Sequence, residues 1–365
     1  MLSHEVLMKA LSSVNDPELG RDLVSLEMVK DVRADGDGRV SLTLELTTPA
    51  CPMKARMQDD IRAALSAVPG VQRVDIHVTS RVRSAAAAEA EDAADTPLPM
   101  VKNIIAVGAG KGGVGKSTVA VFTALSLSRQ GARVGLLDAD FYGPSIPRML
   151  GVAGRRPDLV DGRLQPVQAC GLAMMSIGLL IDPDKALAWR GPLIHKALEQ
   201  LLTDTDWGEL DYLVIDLPPG TGDVHLSLAQ LAPVTGAVIV STPQEVALQD
   251  AMKAAALYRS TDIAILGFIE NMSSFTCPHC GKATDLFGHG TVETAAASIQ
   301  APYLGDLPLN LSIRAAGDDG RPDRVLDTDA TAAEAVARVA ANLAGRISVR
   351  LATEPAPRIL GTRKA

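Results

Sequence analysis

Positive charge is in deficit in this chain. Thirty-five Lys and Arg stand against 43 Asp and Glu, a formal net charge of −8, with an isoelectric point near 5.3. That balance argues against a nucleic-acid binder that works through bulk positive charge. Cysteine is scarce as well: Cys51, Cys170, Cys277 and Cys280 are the only four in 365 residues. Four do not make a disulfide framework at this length, and they suit a reducing interior. Long apolar runs are missing: no stretch reaches the roughly 18–20 uninterrupted apolar residues of a spanning helix. The opening "MLSHEVLMKALSSVNDPELG" is interrupted by His4, Glu5 and Lys9 and lacks the apolar core of a signal peptide. Together these absences predict a cytoplasmic protein with no membrane and no nucleic-acid partner. What is present, 47% hydrophobic and 21% charged residues, describes a globular protein long enough for two or more domains.

The apolar pattern divides the chain. Val6, Leu7, Ala10, Leu11 and Val14 recur at helical spacing before Pro17 and Gly20 stop them. Val40, Leu42, Leu44 and Leu46 alternate after the turn-rich "ADGDG", as the second strand of a hairpin begun near "MVKDVRA". A helix is expected over Lys54–Val68 and a strand at "RVDIHV". These elements predict a small α+β domain over residues 1–83. "SAAAAEAEDAADTPLP" has no periodic apolar character and reads as a flexible linker, residues 84–99. From Asn103 short apolar strands ("IIAVG", "RVGLLDAD", "YLVIDLP", "GAVIVST", "IAILGFIEN") alternate with helices, the signature of a parallel sheet covered on both faces. The fold class is therefore α/β, a parallel-sheet domain over residues 100–346 preceded by the small α+β domain, and the glycine-rich "GAGKGGVGKST" after its first strand marks it as a P-loop NTPase domain. The last helix is expected to end near Leu343, leaving 347–365 as a proline-interrupted tail, and Cys170, in apolar "QACGLAMMSIG", is expected in the core.

The P-loop assignment rests on "GAGKGGVGKST", which follows a strand and opens a helix. Gly110, Gly112, Gly113, Val114 and Gly115 supply backbone N–H groups that turn toward phosphate oxygens, and the helix N-terminus adds partial positive charge. Lys116 meets the β- and γ-phosphates of ATP, the Ser117 hydroxyl can ligate Mg2+, and Thr118 completes the loop. A glycine-rich turn without nucleotide is the bland alternative. Asp216, ending "YLVID", is assigned to the metal, and Asp140, in "LLDADFYGPS", to orienting the attacking water; either residue type also serves as a helix cap or turn. Asn271, in "IENM", is a candidate adenine contact or a turn residue. Lys111 exceeds what the loop's own phosphates require. It is either a solvated lysine or a cation that reaches a nucleotide on a facing subunit, as an arginine finger does in trans.

"SFTCPHCGKATDLFG" holds Cys277 and Cys280 in a C-x-x-C spacing, half of a metal site. Tetrahedral zinc and common iron–sulfur clusters take about four protein ligands, and no second C-x-x-C exists in the chain. Four readings stay open: a cluster bridging two subunits, a bridging zinc, a single-chain site recruiting Cys51 or Cys170, and a dithiol redox pair. Cys51, in "TTPACPMKARMQDD", precedes a helix whose dipole would favour its thiolate, and it is either a relay for iron–sulfur species or a structural residue.

The stretches "GKGGVGKSTVAV", "GLLDADFYGPSIPRMLG", "WRGP", "WGELDYLVIDLPPGTGD", "STPQEVALQDA", "IENMSSFTCPHCG" and "IRAAGDDGRP", in this order, resemble the Mrp/NBP35 family of iron–sulfur carrier ATPases over roughly Val101–Asp323. "KGGVGKST" is similar to the deviant Walker A loop of MinD-like and nitrogenase-reductase-like ATPases. "DPELGRDLVSLEMV" and "LTTPACPM" are similar to the MIP18 family of iron–sulfur assembly domains. The resemblance implies a homodimeric ATPase that holds a [4Fe-4S] cluster and hands it to apo iron–sulfur proteins, alongside cluster-assembly factors. It carries the nucleotide loop onto Gly110–Thr118, the switch acids onto Asp140 and Asp216, the cluster pair onto Cys277 and Cys280, and the trans-acting cation onto Lys111. Phe122, where relatives often have asparagine, and Thr291 and Val292, where they tend to have glycine, depart from it. A MinD- or ParA-like positioning ATPase with a structural zinc at the dimer interface is the alternative from another class, followed by an electron-transfer reductase and a zinc-stapled binding protein.

Overall fold

A computed structural model of the chain describes residues 2–85, 97–181 and 191–361. Most of the expected linker, and Trp189 and Arg190 of "WRGP", lie outside the described residues. The chain divides into two compact units: Met1–Arg83 with Ala344–Glu354, and Ser84–Leu343 with Pro355–Ala365.

In the small unit α1 (His4–Leu11) starts at Ser3, whose side chain accepts the Val6 N–H. Strands β1 (Val29–Ala34) and β2 (Arg39–Leu46) form an antiparallel hairpin, and α2 (Lys54–Ser66) crosses over to β3 (Arg73–Ser80), which lies parallel to β2. Val40, Leu42, Leu44 and Leu46 are buried, as the alternation required, against Leu7 and Leu11 of α1 and Met57, Ile61 and Leu65 of α2. Gly38 closes the hairpin at φ 76°, where a Cβ would lie 2.4 Å from the Gly70 carbonyl oxygen, so only glycine fits.

The large unit opens with β4 (Ile104–Gly108), α3 (Lys116–Arg129), β5 (Val134–Asp138) and α4 (Ile146–Met149). A two-stranded hairpin, β6 (Leu159–Val160) and β7 (Arg163–Leu164), leads to β8 (Val167–Ala169), β9 (Leu172–Ser176) and α5 (Ile177–Leu180). Next come α6 (Gly191–Thr203), β10 (Tyr212–Asp216), α7 (Asp223–Leu231), β11 (Gly236–Ser241) and α8 (Glu245–Ser260). The unit ends with β12 (Ile265–Thr276), β13 (Ala283–Thr284), α9 (Thr291–Ser298), β14 (Tyr303–Leu309), α10 (Leu311–Asp318), α11 (Val325–Thr328) and α12 (Ala330–Thr353), whose residues from Ala344 on belong to the small unit. The main sheet has the order β13-β12-β11-β4-β10-β5-β9-β8, with β14 also paired to β12. Every pairing is parallel except those of β8 and β13. Every residue of β4, β5, β10 and β11 is buried, as helices on both faces demand.

Three strands were not foreseen, and two expectations need correction. The strands at β8, β9 and β14 do not stand out in the apolar pattern, because β8 and β14 are only partly buried and "LAMMS" of β9 reads equally well as helix. Cys170 is not in the core: it sits half-exposed in the turn between β8 and β9, at φ 50°. The last helix does not end near Leu343 but runs to Thr353, stopping just before Pro355. Its buried stripe continues through Val336, Val339, Ala340, Leu343, Ala344 and Ile347. Gly345 is required within it by packing: a Cβ there would lie 2.3 Å from Glu18 Oε1. Residues expected as tail therefore complete the small unit.

Candidate functional site

Open parallel sheets present ligands at the carboxyl ends of their strands, and here three neighbours converge there. Register sets Asp216 of β10 beside Val107 of β4 on one side and Asp138 of β5 on the other. From β4 the loop Ala109–Gly115 climbs to the start of α3, with Gly113 and Gly115 at φ 84° and 83°. Its glycines have packing reasons too. A Cβ on Gly110 would lie 2.0 Å from the Asp250 carbonyl carbon of α8, and one on Gly115 would lie 2.2 Å from Asn271 Nδ2.

Lys116 and Ser117 both point at Asp216. Lys116 Nζ donates to Oδ1 at 2.6 Å, and the Ser117 hydroxyl donates to Oδ2 at 2.5 Å. Asp140 Oδ2 stands 3.7 Å from the same ammonium, while its Oδ1 accepts the Tyr142 and Gly143 N–H groups, so Asp140 also builds its own turn. Asp138 is fully buried and accepts from the Asp140 N–H, the Ile146 N–H and the Ser176 hydroxyl, bracing the segment that carries Asp140. Burial, then the neighbouring Asp216, push the Asp138 carboxyl up to about 8. Burial also raises Asp216, opposed by Lys116 and Ser117. One ammonium thus serves three acids in a nearly dry site. Ser117 and Asp216 together present hard oxygen donors of the kind that Mg2+ takes. Lys111 is partly exposed at the start of the loop.

Asn271 braces the loop from below, its Nδ2 donating to the Val114 carbonyl at 2.8 Å. It also lines a cavity of about 350 Å³ beside the loop, with Thr118, Phe122, Leu307, Pro308 and Ile313 among its walls. Phe122, the departure noted in the sequence, forms part of that apolar wall. The cavity was not foreseen, because Leu307–Ile313 reach it through β14 and α10, which lie far along the chain.

The cysteine pair lies where β12 outruns the sheet and turns back through β13. Cys277 donates its N–H to the Lys282 carbonyl, Gly281 donates to the Cys277 carbonyl, and Gly281 takes φ 70°. The N–H groups of His279 and Cys280, followed by the Cys280 thiol, face the Cys277 sulfur and hold its pKa below the usual range. Cys280 is exposed. Two N–H groups aimed at one sulfur make a turn suited to a metal-bound thiolate. Among the described residues, no third His, Cys, Asp or Glu joins the pair as a metal-binding group. Cys170 cannot: it adjoins β9, five strand spacings from β12, about 24 Å away. Burial and the nearby Asp323 carboxylate raise the Cys170 thiol instead.

Cys51 contradicts its expectation. Burial pushes its thiol up to about 11, Glu18 and Asp16 push the same way, and the N–H groups of Met53 and Lys54 pull against them without prevailing. Desolvation therefore outweighs the helix terminus.

Residues 100–344 match the sequence model of the NUBPL iron-transfer P-loop NTPase family, and residues 4–78 that of an iron–sulfur cluster assembly protein family. An "Iron-sulfur cluster carrier protein" of Deinococcus radiodurans is 48% identical over 352 residues, 96% of this chain and 97% of the relative. A nucleotide-binding protein from Archaeoglobus fulgidus, solved in complex with ADP, is 41% identical with a TM-score of 0.56, covering 64% of this chain and 92% of that one. A chain of the MinC:MinD cell division protein complex of Aquifex aeolicus has a TM-score of 0.51 at 23% identity, covering 67% of this chain and 96% of that one, a likeness of fold alone. No described helix is long and apolar enough to cross a membrane.

Proposed function

Because the chain belongs to the NUBPL iron-transfer P-loop NTPase family, we propose that it is an ATP-dependent iron–sulfur cluster carrier whose cargo is bound between two copies of the chain. The name of the Deinococcus relative supports the carrier reading. The observation that carries the bridging site is the Cys277–Cys280 turn: one thiol is held toward thiolate, the other is exposed, and the described residues of one chain offer no third ligand. Two copies related by a two-fold axis supply four thiolates to one [4Fe-4S] cluster. The cluster is the substrate, loaded here and passed to apo iron–sulfur proteins.

The nucleotide reading follows from the loop. Gly110–Thr118 surround the phosphates, Lys116 leaves Asp216 for the β- and γ-oxygens, and Lys111 reaches the facing subunit's nucleotide. Ser117 and Asp216 would hold Mg2+, which would neutralise phosphate charge, and Asp140 orients the attacking water. The apolar cavity walled by Phe122, Leu307 and Pro308 takes the purine, with Asn271 at its loop side. Cys51, with its thiol kept protonated, serves poorly as a standing ligand. As a relay it acts only once its burial is relieved.

The test is anaerobic reconstitution followed by iron, sulfide and zinc analysis per dimer. Four irons and four sulfides are expected in the wild type and none in Cys277→Ala, with nucleotide affinity unchanged. Zinc alone, or a brown chromophore retained by Cys277→Ala, would overturn the bridging cluster. The positioning reading draws only on the MinD likeness, which at 23% identity speaks to fold.

A further inference from the structure

Directly behind the phosphate loop, two fully buried polar side chains lack partners. His225, on α7, is 1% exposed, and neither ring nitrogen makes a hydrogen bond among the described residues. Tyr258, on α8, is 0% exposed, and its hydroxyl is likewise without a partner. The rings face each other with centroids 5.6 Å apart, tilted by 56°. Polar groups in such dry surroundings are normally paired, and leaving several unpaired beside one another lowers the stability of the state that does so.

Their location gives the reason. The Tyr258 hydroxyl abuts Gly108, where β4 passes into the loop, so closely that a Cβ on Gly108 would lie 2.1 Å from it. His225 belongs to the helix that follows Asp216 and the glycine-rich turn Gly220–Gly222. The Lys116 charge reaches the ring and, after burial, helps to depress its pKa, to about 4, so the imidazole is neutral and keeps one nitrogen as an acceptor. The Gly222 carbonyl, which accepts the His225 backbone N–H at 3.2 Å, lies beside the ring and pulls its pKa the other way. Tyr258 thus abuts the strand end that feeds the loop, and His225 lies within reach of the Lys116 charge.

We propose that His225 and Tyr258 are positioning residues that form a hydrogen bond, hydroxyl to imidazole, only when nucleotide occupies the phosphate loop, locking α7 to α8 in that state. The inference rests on the nucleotide reading above and adds the device by which the loop and α7 change together. Satisfying both groups in one state and neither in the other biases the equilibrium toward the occupied arrangement.

The test uses full-length protein as wild type, Tyr258→Phe, His225→Leu and the double variant. Two quantities are read: thermal midpoint without nucleotide, and affinity for a non-hydrolysable ATP analogue with Mg2+. Removing the unpartnered groups is expected to raise the nucleotide-free midpoint by about 2 °C or more. Affinity should fall about three- to tenfold, and the double variant should lose no more than either single one. A merely structural pair would lower the midpoint and leave affinity alone, and additive losses would likewise overturn the latch. If the wild type binds no nucleotide, the nucleotide reading fails and the latch with it. Wild-type binding with unchanged variant affinity refutes the latch alone.

Discussion

Lys116→Ala tests the buried ion pair at the heart of the site. In the nucleotide-free chain Lys116 is the cation nearest to two buried carboxylates, 2.6 Å from Asp216 and 3.7 Å from Asp140. Asp216 is fully buried. Removing one partner of such a pair costs about 3–5 kcal/mol, because the remaining charge is left without compensation. The Ser117 hydroxyl still donates to Asp216, which favours about 3 kcal/mol, the lower end of that range. A lone buried carboxylate escapes the penalty by taking up a proton, and this fixes the sign with pH. Asp216 is already raised above 3.8 by burial, and without the ammonium it rises further. A carboxyl whose folded pKa is raised contributes its full share below the unfolded value and loses it as pH climbs through the folded one. The variant's deficit should be small near pH 4 and largest above neutrality. Urea unfolding of nucleotide-free protein at pH 5, 7 and 8.5 measures it, and Lys116→Ala with Asp216→Asn should recover most of the loss. A deficit that does not change with pH, or a single variant as stable as wild type at pH 8.5, would refute the reasoning.

Gly115→Ala should lose about 1–3 kcal/mol and most nucleotide affinity, since φ is 83° and the new Cβ meets Asn271 Nδ2; calorimetric titration with ADP checks it. Ile347→Ala should cost about 2–4 kcal/mol, felt in the small unit to which Ala344–Glu354 belong. Hydrogen exchange at β2 reports that loss, and unchanged protection there would return residue 347 to the tail. With its pKa near 11, Cys51 is about 0.1% thiolate at pH 8, so iodoacetamide should label Cys277 and Cys280 far sooner. Mass spectrometry of the labelled peptides decides it, and Cys51 labelled first would contradict the burial.

The elements legible in advance carry strong local signals. The glycine-rich loop between β4 and α3, the alternation in β2 and the apolar runs of β5, β10 and β11 each read correctly from a few neighbouring residues. Those that escaped depended on distant partners. β9 joins the sheet only because β5 offers it an edge. α12 continues past Gly345 through buried Ala344 and Ile347, and Glu18, more than three hundred positions earlier, fills the space a side chain at Gly345 would take. Cys51 misled for the same reason: its sequence shows the helix start that lowers a thiol pKa but not the burial that raises it.

The sequence alone determined the chemistry on offer: a phosphate loop with a surplus lysine, acids at strand ends, and a cysteine pair short of ligands. These depend on residue type and short spacing, which a linear string preserves. Tertiary structure alone decided which groups meet. Strand register put Asp138 beside Asp216, and sheet order kept Cys170 about 24 Å from the pair. The packing of α7 and α8 behind the loop left His225 and Tyr258 facing each other without partners. Proximity across long stretches of chain is set by burial of the whole apolar surface, and no short segment contains that information.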